Sequence, residues 1–331
     1  MGAIVARAPL RVALGGGGTD LPSYYRAHGG FVVSTAIDRY VHMVVSADFQ
    51  RRYRLKHLEW EEADRPADVR HPILREVLTR HWDGPPVELA SVADAPPGTG
   101  LGSSGAYTVC AIRALRAAAR AVAPDARELA EAACAIEIDV LGRSVGKQDQ
   151  YAASFGGVRA YTFHPDDSVD VRELALPEHV DHALREHCLL FFTGRERSAS
   201  DLLSGQVSGT ESGDESIRRA LERLHELGRQ TCDALEAGDL DGFGELMNEQ
   251  WEAKRHRAPG TVIEEMDALR ERALAAGARG AVSLGAGGGG FVLVYTPDPE
   301  RTRAALGDIR ELRFAIDAHG CVANATPFPA G

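Results

Sequence analysis

The spacing of apolar positions changes several times along the chain, and the changes mark its elements. Ile4 to Leu14 and Phe31 to Ala47 are dense in Val, Ile, Leu and Ala and predict strands. Between them, Gly15-Gly16-Gly17-Gly18-Thr19-Asp20 predicts a turn, followed by a short helix that stops near Gly29-Gly30. Residues 72–82 have helical spacing, and Asp83-Gly84-Pro85-Pro86 then turns the chain into an extended segment from Val87 to Ala93. Helices are predicted from Ala106 to about Ala121 and from Asp125 to about Val140, the second with Pro124 just ahead of it. Gly156-Gly157 opens a strand through Phe163, and His187 to Thr193 is a further apolar strand. Ser204 to Ser216 is polar and glycine-rich, which predicts a mobile loop or lid. Three helices (about 216–236, 239–256 and 262–276), two strands flanking Gly285–Gly290, a helix near 299–311 and a closing strand complete the chain. Hairpin-like strands mixed with helices read as α+β, with a domain boundary near 170–185 and no internal repeat.

Composition adds boundaries. At 331 residues the chain exceeds what one core usually serves, so two domains are expected. With 44% apolar and 26% charged residues it is an ordinary soluble globular composition. A net charge of −11 without a basic stripe excludes nucleic acid as a partner. It leaves room for an anionic substrate, because glycine nests and single arginines bind phosphate inside acidic proteins. Five cysteines (110, 134, 188, 232 and 321) form no C-x-x-C pair, the pattern of reduced thiols in a cytoplasmic protein. Met-Gly-Ala-Ile-Val-Ala-Arg has no signal-peptide core, and no run of about 18 apolar residues occurs, so no membrane attachment is expected.

The most informative stretch lies between the segment ending at Ala93 and the helix from Ala106. It contains Pro97, Gly98, Thr99, Gly100, Leu101, Gly102, Ser103, Ser104 and Gly105. Such a loop turns backbone N–H groups inward, and the following helix adds its positive end, which together cradle phosphate. Without a lysine it is not the G-x-x-x-x-G-K-[ST] loop, so the serine hydroxyls help hold the phosphates or a metal. Read literally, Gly100 to Gly105 matches the dinucleotide fingerprint G-x-G-x-x-G, with Asp125 twenty residues later. That acid begins a helix here instead of ending a strand, which argues against hydride transfer. A second match, Gly285 to Gly290, runs into the strand Phe291–Tyr295 and not into a helix.

Two further constellations carry chemistry. In Lys147-Gln148-Asp149-Gln150 a carboxylate is flanked by glutamines and preceded by a lysine, although on composition alone the segment reads as a surface turn. Glu137, twelve residues upstream, can share a hard divalent ion with Ser104; taken alone it is a solvated helix residue. In the first strand Arg11 alternates with apolar neighbours, and Asp20 beyond the glycine run can accept hydrogen bonds from sugar hydroxyls. The cluster Glu178, His179, Asp181, His182, Glu186 and His187 has metal-ligand residue types but reads as an exposed polar face.

Taken in order, Arg7–Asp20, Pro96–Ala106 and Gly285–Gly290 resemble the three motifs of the GHMP kinase superfamily. Gly105 stands where alanine is usual in the ATP loop. Arg7-Ala-Pro-Leu-Arg11, Ala36-Ile-Asp-Arg-Tyr40, Gly146–Tyr151 and Phe192-Thr-Gly194 resemble the branch containing D-glycero-D-manno-heptose 7-phosphate kinase. The resemblance implies a two-domain α+β fold. An N-terminal mixed α/β domain (1–175) would carry the ATP loop, and a ferredoxin-like α+β domain (176–331) would follow.

It also implies roles: Asp149 as catalytic base, Arg11 stabilising the transferring phosphoryl group, Ser104 and Glu137 on Mg²⁺, and Asp20 on the sugar. Gly16, Gly17, Gly18, Thr19, Gly287 and Gly288 then line the sugar site. The implied activity is ATP-dependent phosphorylation of the anomeric hydroxyl of a sugar phosphate, by a monomer or homodimer. An octose 8-phosphate, an unphosphorylated hexose, or a non-catalytic sugar sensor are the alternatives. Galactokinases carry Glu-His at the positions of Gly17-Gly18, so the two glycines are expected to free volume at the tail of a longer sugar. Lys147, Arg195 and Arg197 are the cations expected to meet a tail phosphate.

Overall fold

The computed structural model describes residues 3–196, 199–257 and 263–325. Strands β1 (Ile4–Gly15) and β2 (Gly30–Ala47) follow the apolar runs and pair antiparallel, connected through α1 (Pro22–His28). Register shifts at Pro9/Leu10 and Ala13/Gly15 bend the pair, the first where proline cannot donate to the ladder. A short hairpin, β3 (Tyr53–Lys56) and β4 (Trp60–Ala63), leads to α2 (Pro72–His81), β5 (Val87–Ala93) and α3 (Ser103–Ala118). Next comes α4 (Ala126–Cys134), which runs directly into a π-helical turn, Ala135–Val140. Then come α5 (Gln148–Phe155), β6 (Val158–Phe163), β7 (Val169–Glu173) and α6 (Glu178–Glu186).

The second half holds β8 (Cys188–Phe192), α7 (Ala199–Glu211), α8 (Glu215–Ala237), α9 (Leu240–Arg257) and α10 (Glu264–Ala275). It ends with β9 (Gly280–Ser283), β10 (Phe291–Tyr295), α11 (Pro299–Ala305) and β11 (Val322–Ala325).

One sheet runs in the order β11-β1-β2-β5-β3-β4, with β6 on the other half of β2 and β7 beyond it. The second sheet runs β8-β10-β9, and Arg310–Leu312 bonds along the free edge of β8. Counting that edge as a fourth strand, with α7–α10 after β8 and α11 after β10, gives the expected ferredoxin-like arrangement. From Ala8 onward every residue of β1 is buried, because α3, α5 and α8 all pack on it. Arg11 falls inside that buried run. No helix among the described residues is long and apolar enough to cross a membrane.

Three expectations change. Ser204–Ser216 is not a loop: it forms the end of α7, a tight turn and the start of α8. Its Gly209 serves close packing, since a Cβ there would lie 2.1 Å from Ile217 Cδ1, and Asp214 caps α8. The helix expected to reach 311 stops at Ala305, which releases Arg310–Leu312 to edge β8. Finally, the closing strand leaves the second half and pairs with β1, Ile4 opposite Ala325, although a division at 175/176 assigns it to the second domain.

His71 caps α2 by accepting from Leu74 N–H at 3.3 Å, which requires a neutral ring. Burial, with His57 beside it, pushes His71 down to about 4 from its ordinary 6.5. The unfolded chain therefore takes up this proton first, and stability should fall as pH drops from 6.5 towards 4. In thermal unfolding across that range, His71→Asn, a cap that does not titrate, should show a shallower loss than wild type.

Candidate active site

The glycine loop sits between β5 and α3 and is closed over by the β9–β10 turn. Gly102 ends it in the left-handed region (φ 77°), where only glycine is free of strain, and α3 begins at the next residue. No side chain caps α3, so its first-turn N–H groups face the loop's mouth, the arrangement an anion needs. A Cβ on Gly100 would lie 2.6 Å from Leu284 O and one on Gly290 2.2 Å from Thr99 O. Phe291 N–H donates to Thr99 O at 3.1 Å, so the third glycine motif, with Gly287 and Gly288 at its turn, packs directly on the phosphate loop.

Asp149 lies in the first turn of α5, not in a surface turn, where the helix end favours its carboxylate. Arg11 donates to Asp149 Oδ1 through Nε at 2.8 Å and Nη2 at 2.6 Å, and its Nη1 donates to Gly100 O. Its main-chain N–H also donates to Leu101 O at 3.0 Å. One guanidinium thus ties the carboxylate to the loop. A Cβ on Gly102 would lie 3.2 Å from Asp149 Cγ, which shows how closely the two meet. At Gly105 a Cβ would fall 2.6 Å from Asp149 Cβ and 2.9 Å from Gln150 N. Gly105→Ala should therefore overpack α3 against α5 by about 1–3 kcal/mol. That exceeds the roughly 1 kcal/mol gained in helix propensity. A lowered Tm together with a lowered kcat, as Asp149 shifts, is the expected outcome.

Glu137 is fully buried, contrary to the solvated reading, because the π-helical turn aims it at α3. Its Oε1 accepts from Thr108 Oγ1 and Gln150 Nε2, both at 3.0 Å, and its Oε2 accepts from the Ser104 hydroxyl. Burial raises its pKa above the ordinary carboxylate value. Arg143, missed in the sequence, reaches the same oxygens: its Nη1 lies 3.1 Å from Ser104 Oγ and 3.4 Å from Glu137 Oε2. A hydroxyl and a carboxylate oxygen converging beside a phosphate loop form a hard-oxygen donor set that fits Mg²⁺, and the guanidinium shows that a cation suits the place.

Asp20 is buried and accepts from Gly18 N–H at 3.2 Å and Gln148 N–H at 3.1 Å. Burial first, and the nearby Asp149 second, raise its pKa. A Cβ on Gly146 would lie 1.9 Å from Asp20 Oδ2, so that glycine lets the start of α5 close around the carboxylate. Asp149 and Arg11 both act electrostatically on Asp20, the first raising and the second lowering its pKa.

Other expected residues lie elsewhere or serve otherwise. The Thr19 hydroxyl is enclosed by Gly16 O, Phe31 O and Phe31 N–H and pins the turn from behind. The Lys147 ammonium is buried against Glu131 (3.3 Å) and Asp167 O (2.7 Å), which leaves it no phosphate to meet. Arg195 is half-exposed and pairs with Glu265. Arg197 lies outside the described residues. The space expected at both Gly17 and Gly18 exists only at Gly17, whose Cβ would meet nothing nearer than Ala13 Cβ at 4.0 Å. Beside Gly18 it is filled by Arg257 and Gln206.

Gln206, Lys254 and Arg257 were not anticipated. Lys254-Arg-His-Arg257 reads as a solvated basic run, yet 254 and 257 continue the helical stripe of buried Phe243, Met247 and Trp251. That continuation is the signal that exposes them. Among the described residues no cluster of three or more His, Cys, Asp or Glu is placed to hold a metal, and His179 and His187 bond main-chain carbonyls instead.

Family models for the GHMP kinases N terminal domain and the GHMP kinases C terminal match residues 72–157 and 232–312. The chain belongs to the GHMP kinases. Among relatives of this GHMP kinase, the D-glycero-alpha-D-manno-heptose 7-phosphate kinase of Campylobacter jejuni is 27% identical over 91% of each chain. A galactokinase of Thermococcus kodakarensis is 26% identical over 86% of this chain and 87% of its own. In fold, the GHMP kinase matches a crystal structure of a D-glycero-D-manno-heptose 1-phosphate kinase from Bacteroides thetaiotaomicron. That match has a TM-score of 0.79 at 23% identity, covering 98% of this chain and 100% of the other.

Proposed function

We propose that this GHMP kinase transfers the γ-phosphoryl group of ATP to the anomeric hydroxyl of a sugar phosphate. The substrate named is D-glycero-D-manno-heptose 7-phosphate, giving the 1,7-bisphosphate. The observation that carries the reading is the Arg11–Asp149 pair, two guanidinium nitrogens on one carboxylate oxygen, seated against Gly100 and Gly102 of the phosphate loop. Its C. jejuni relative is named for a heptose 7-phosphate substrate, which supports the choice of sugar.

In this mechanism the loop N–H groups and the open end of α3 hold the α- and β-phosphates. Asp20 positions the sugar ring. Asp149 accepts the proton of the C1 hydroxyl while that oxygen forms its bond to the γ-phosphorus, and the bond from the γ-phosphorus to the bridging oxygen breaks to release ADP. Arg11 stabilises charge on the phosphoryl oxygens. Ser104 and Glu137 would hold Mg²⁺, which supplies neutralisation of phosphate charge. Arg143, beside both, contributes a second positive charge at the same phosphates.

The test is mass spectrometry of reactions with ATP, Mg²⁺ and a panel of six-, seven- and eight-carbon sugars, each with and without a terminal phosphate. One added phosphoryl group on the C7 phosphate, placed at C1 by NMR, is expected. Preferred turnover of an unphosphorylated hexose would replace this substrate, and no ATP consumption with any sugar would overturn the reading.

A further inference from the structure

Next to Asp20 lies the Gly17–Gly18 turn, whose Gly18 N–H donates to the Asp20 carboxylate at 3.2 Å. Two buried side chains back this turn. A Cβ on Gly18 would lie 2.9 Å from Arg257 Nη1, 3.1 Å from Arg257 Cδ and 3.4 Å from Gln206 Oε1. The Cδ–Nη1 edge of the guanidinium therefore faces position 18.

The bonding of these two residues is incomplete in a complementary way. Arg257 is 2% exposed, and among the described residues its terminal nitrogens donate only to neutral carbonyls: Gly17 O at 3.3 Å, Gly285 O at 3.2 Å and Ala286 O at 2.7 Å. Gln206 is 0% exposed and donates through Nε2 to Gly18 O at 2.9 Å. Among the described residues, Arg257 Nε and Gln206 Oε1 are buried with no hydrogen-bond partner. One is a charged donor and the other an acceptor. Lys254, one turn earlier on α9, is also buried and donates to Ser283 O. Burial lowers the pKa of both cations, Arg257 to about 10, with Asp20 the opposing negative charge at Arg257. A guanidinium held out of water against carbonyls alone is costly, and an incoming anion offsets that cost.

We infer that Arg257 and Gln206 form the tail subsite of the sugar pocket and select a sugar that ends in a phosphate next to a free hydroxyl. Arg257 Nη1–H, beside position 18, donates to a phosphate oxygen, and Gln206 Oε1 accepts from the neighbouring hydroxyl. This deepens the sugar-kinase reading and rests on it. The tail cations are thus supplied by α9 of the second half, not by Lys147.

The discriminating quantity is the ratio of kcat/KM for heptose 7-phosphate to that for the same heptose without phosphate. Wild type should favour the phosphorylated sugar by at least about 100-fold. Arg257→Met should lower that ratio by about 100-fold, and Gln206→Glu, which sets a negative charge against the phosphate, by at least about 10-fold. Arg257→Lys should recover part of it. Circular dichroism and the KM for ATP are measured alongside, and Gln206→Glu carries the test if the Met variant does not fold. An active wild type with a ratio near one overturns the inference, as does an unchanged ratio in the folded variants. The latter means that Arg257 merely ties the Gly17 and Gly285 turns together, slowing both sugars equally. A wild type that phosphorylates no sugar at all overturns the kinase reading itself, and the inference with it.

Discussion

Asp149→Asn is expected to lower kcat by about 10²–10⁴-fold while leaving the KM for ATP little changed. The asparagine oxygen can still accept both bonds from Arg11, so the pair keeps its shape and the loop keeps its tie. What disappears is the negative charge that the proposed mechanism uses to take the sugar proton. Because the anomeric hydroxyl is more acidic than an ordinary alcohol, the loss should be smallest at high pH. Steady-state kinetics with heptose 7-phosphate provide the measurement, and a variant with near-wild-type turnover would remove Asp149 from the chemistry.

Arg11→Met should cost about 10²–10³-fold in kcat, the scale for losing one preorganised donor at a developing negative charge. Two further contacts go with it, since the same guanidinium orients Asp149 and holds Gly100 O. The main-chain bond from Arg11 to Leu101 survives, so the loop should stay in place and ATP binding should weaken only modestly. Arg11 and Asp149 act as one unit. The double variant should therefore be little slower than the slower single variant. Losses that multiply would show instead that the two residues serve separate steps.

Much of this site is legible in the sequence because its determinants are local. Glycines at 98, 100 and 102 announce a backbone that L side chains cannot follow, and the positive φ at all three bears that out. The strands and most helices are equally local, set by apolar period. What stays hidden depends on what lies opposite. Glu137 looks like a helix-surface acid until α3 and Gln150 are placed against it. Arg143 carries no pattern of its own. The glycines and serines of Ser204–Ser216 suggest mobility, yet Gly209 is there so that α7 can lie against Ile217. Gln206 on that helix and Arg257 on α9 reach the first glycine turn from 188 and 240 residues away. Spacing says nothing at that range. Only the apolar stripe along α9 hints that two of its terminal cations point inward.

The widened turn at Ala135–Val140 has a consequence for how this chain can change over time. Each residue of an ordinary α-helix rotates its side chain by about 100°, and a π turn accommodates one surplus residue in the spiral. Excising any one residue between Ala135 and Glu137 would let the spiral tighten and swing the acid at 137 by about that angle, away from Ser104. The meeting of the Glu137 carboxyl with Ser104 therefore hangs on a phase setting of the backbone. There, a deletion that spares every functional side chain would be as damaging as removing one.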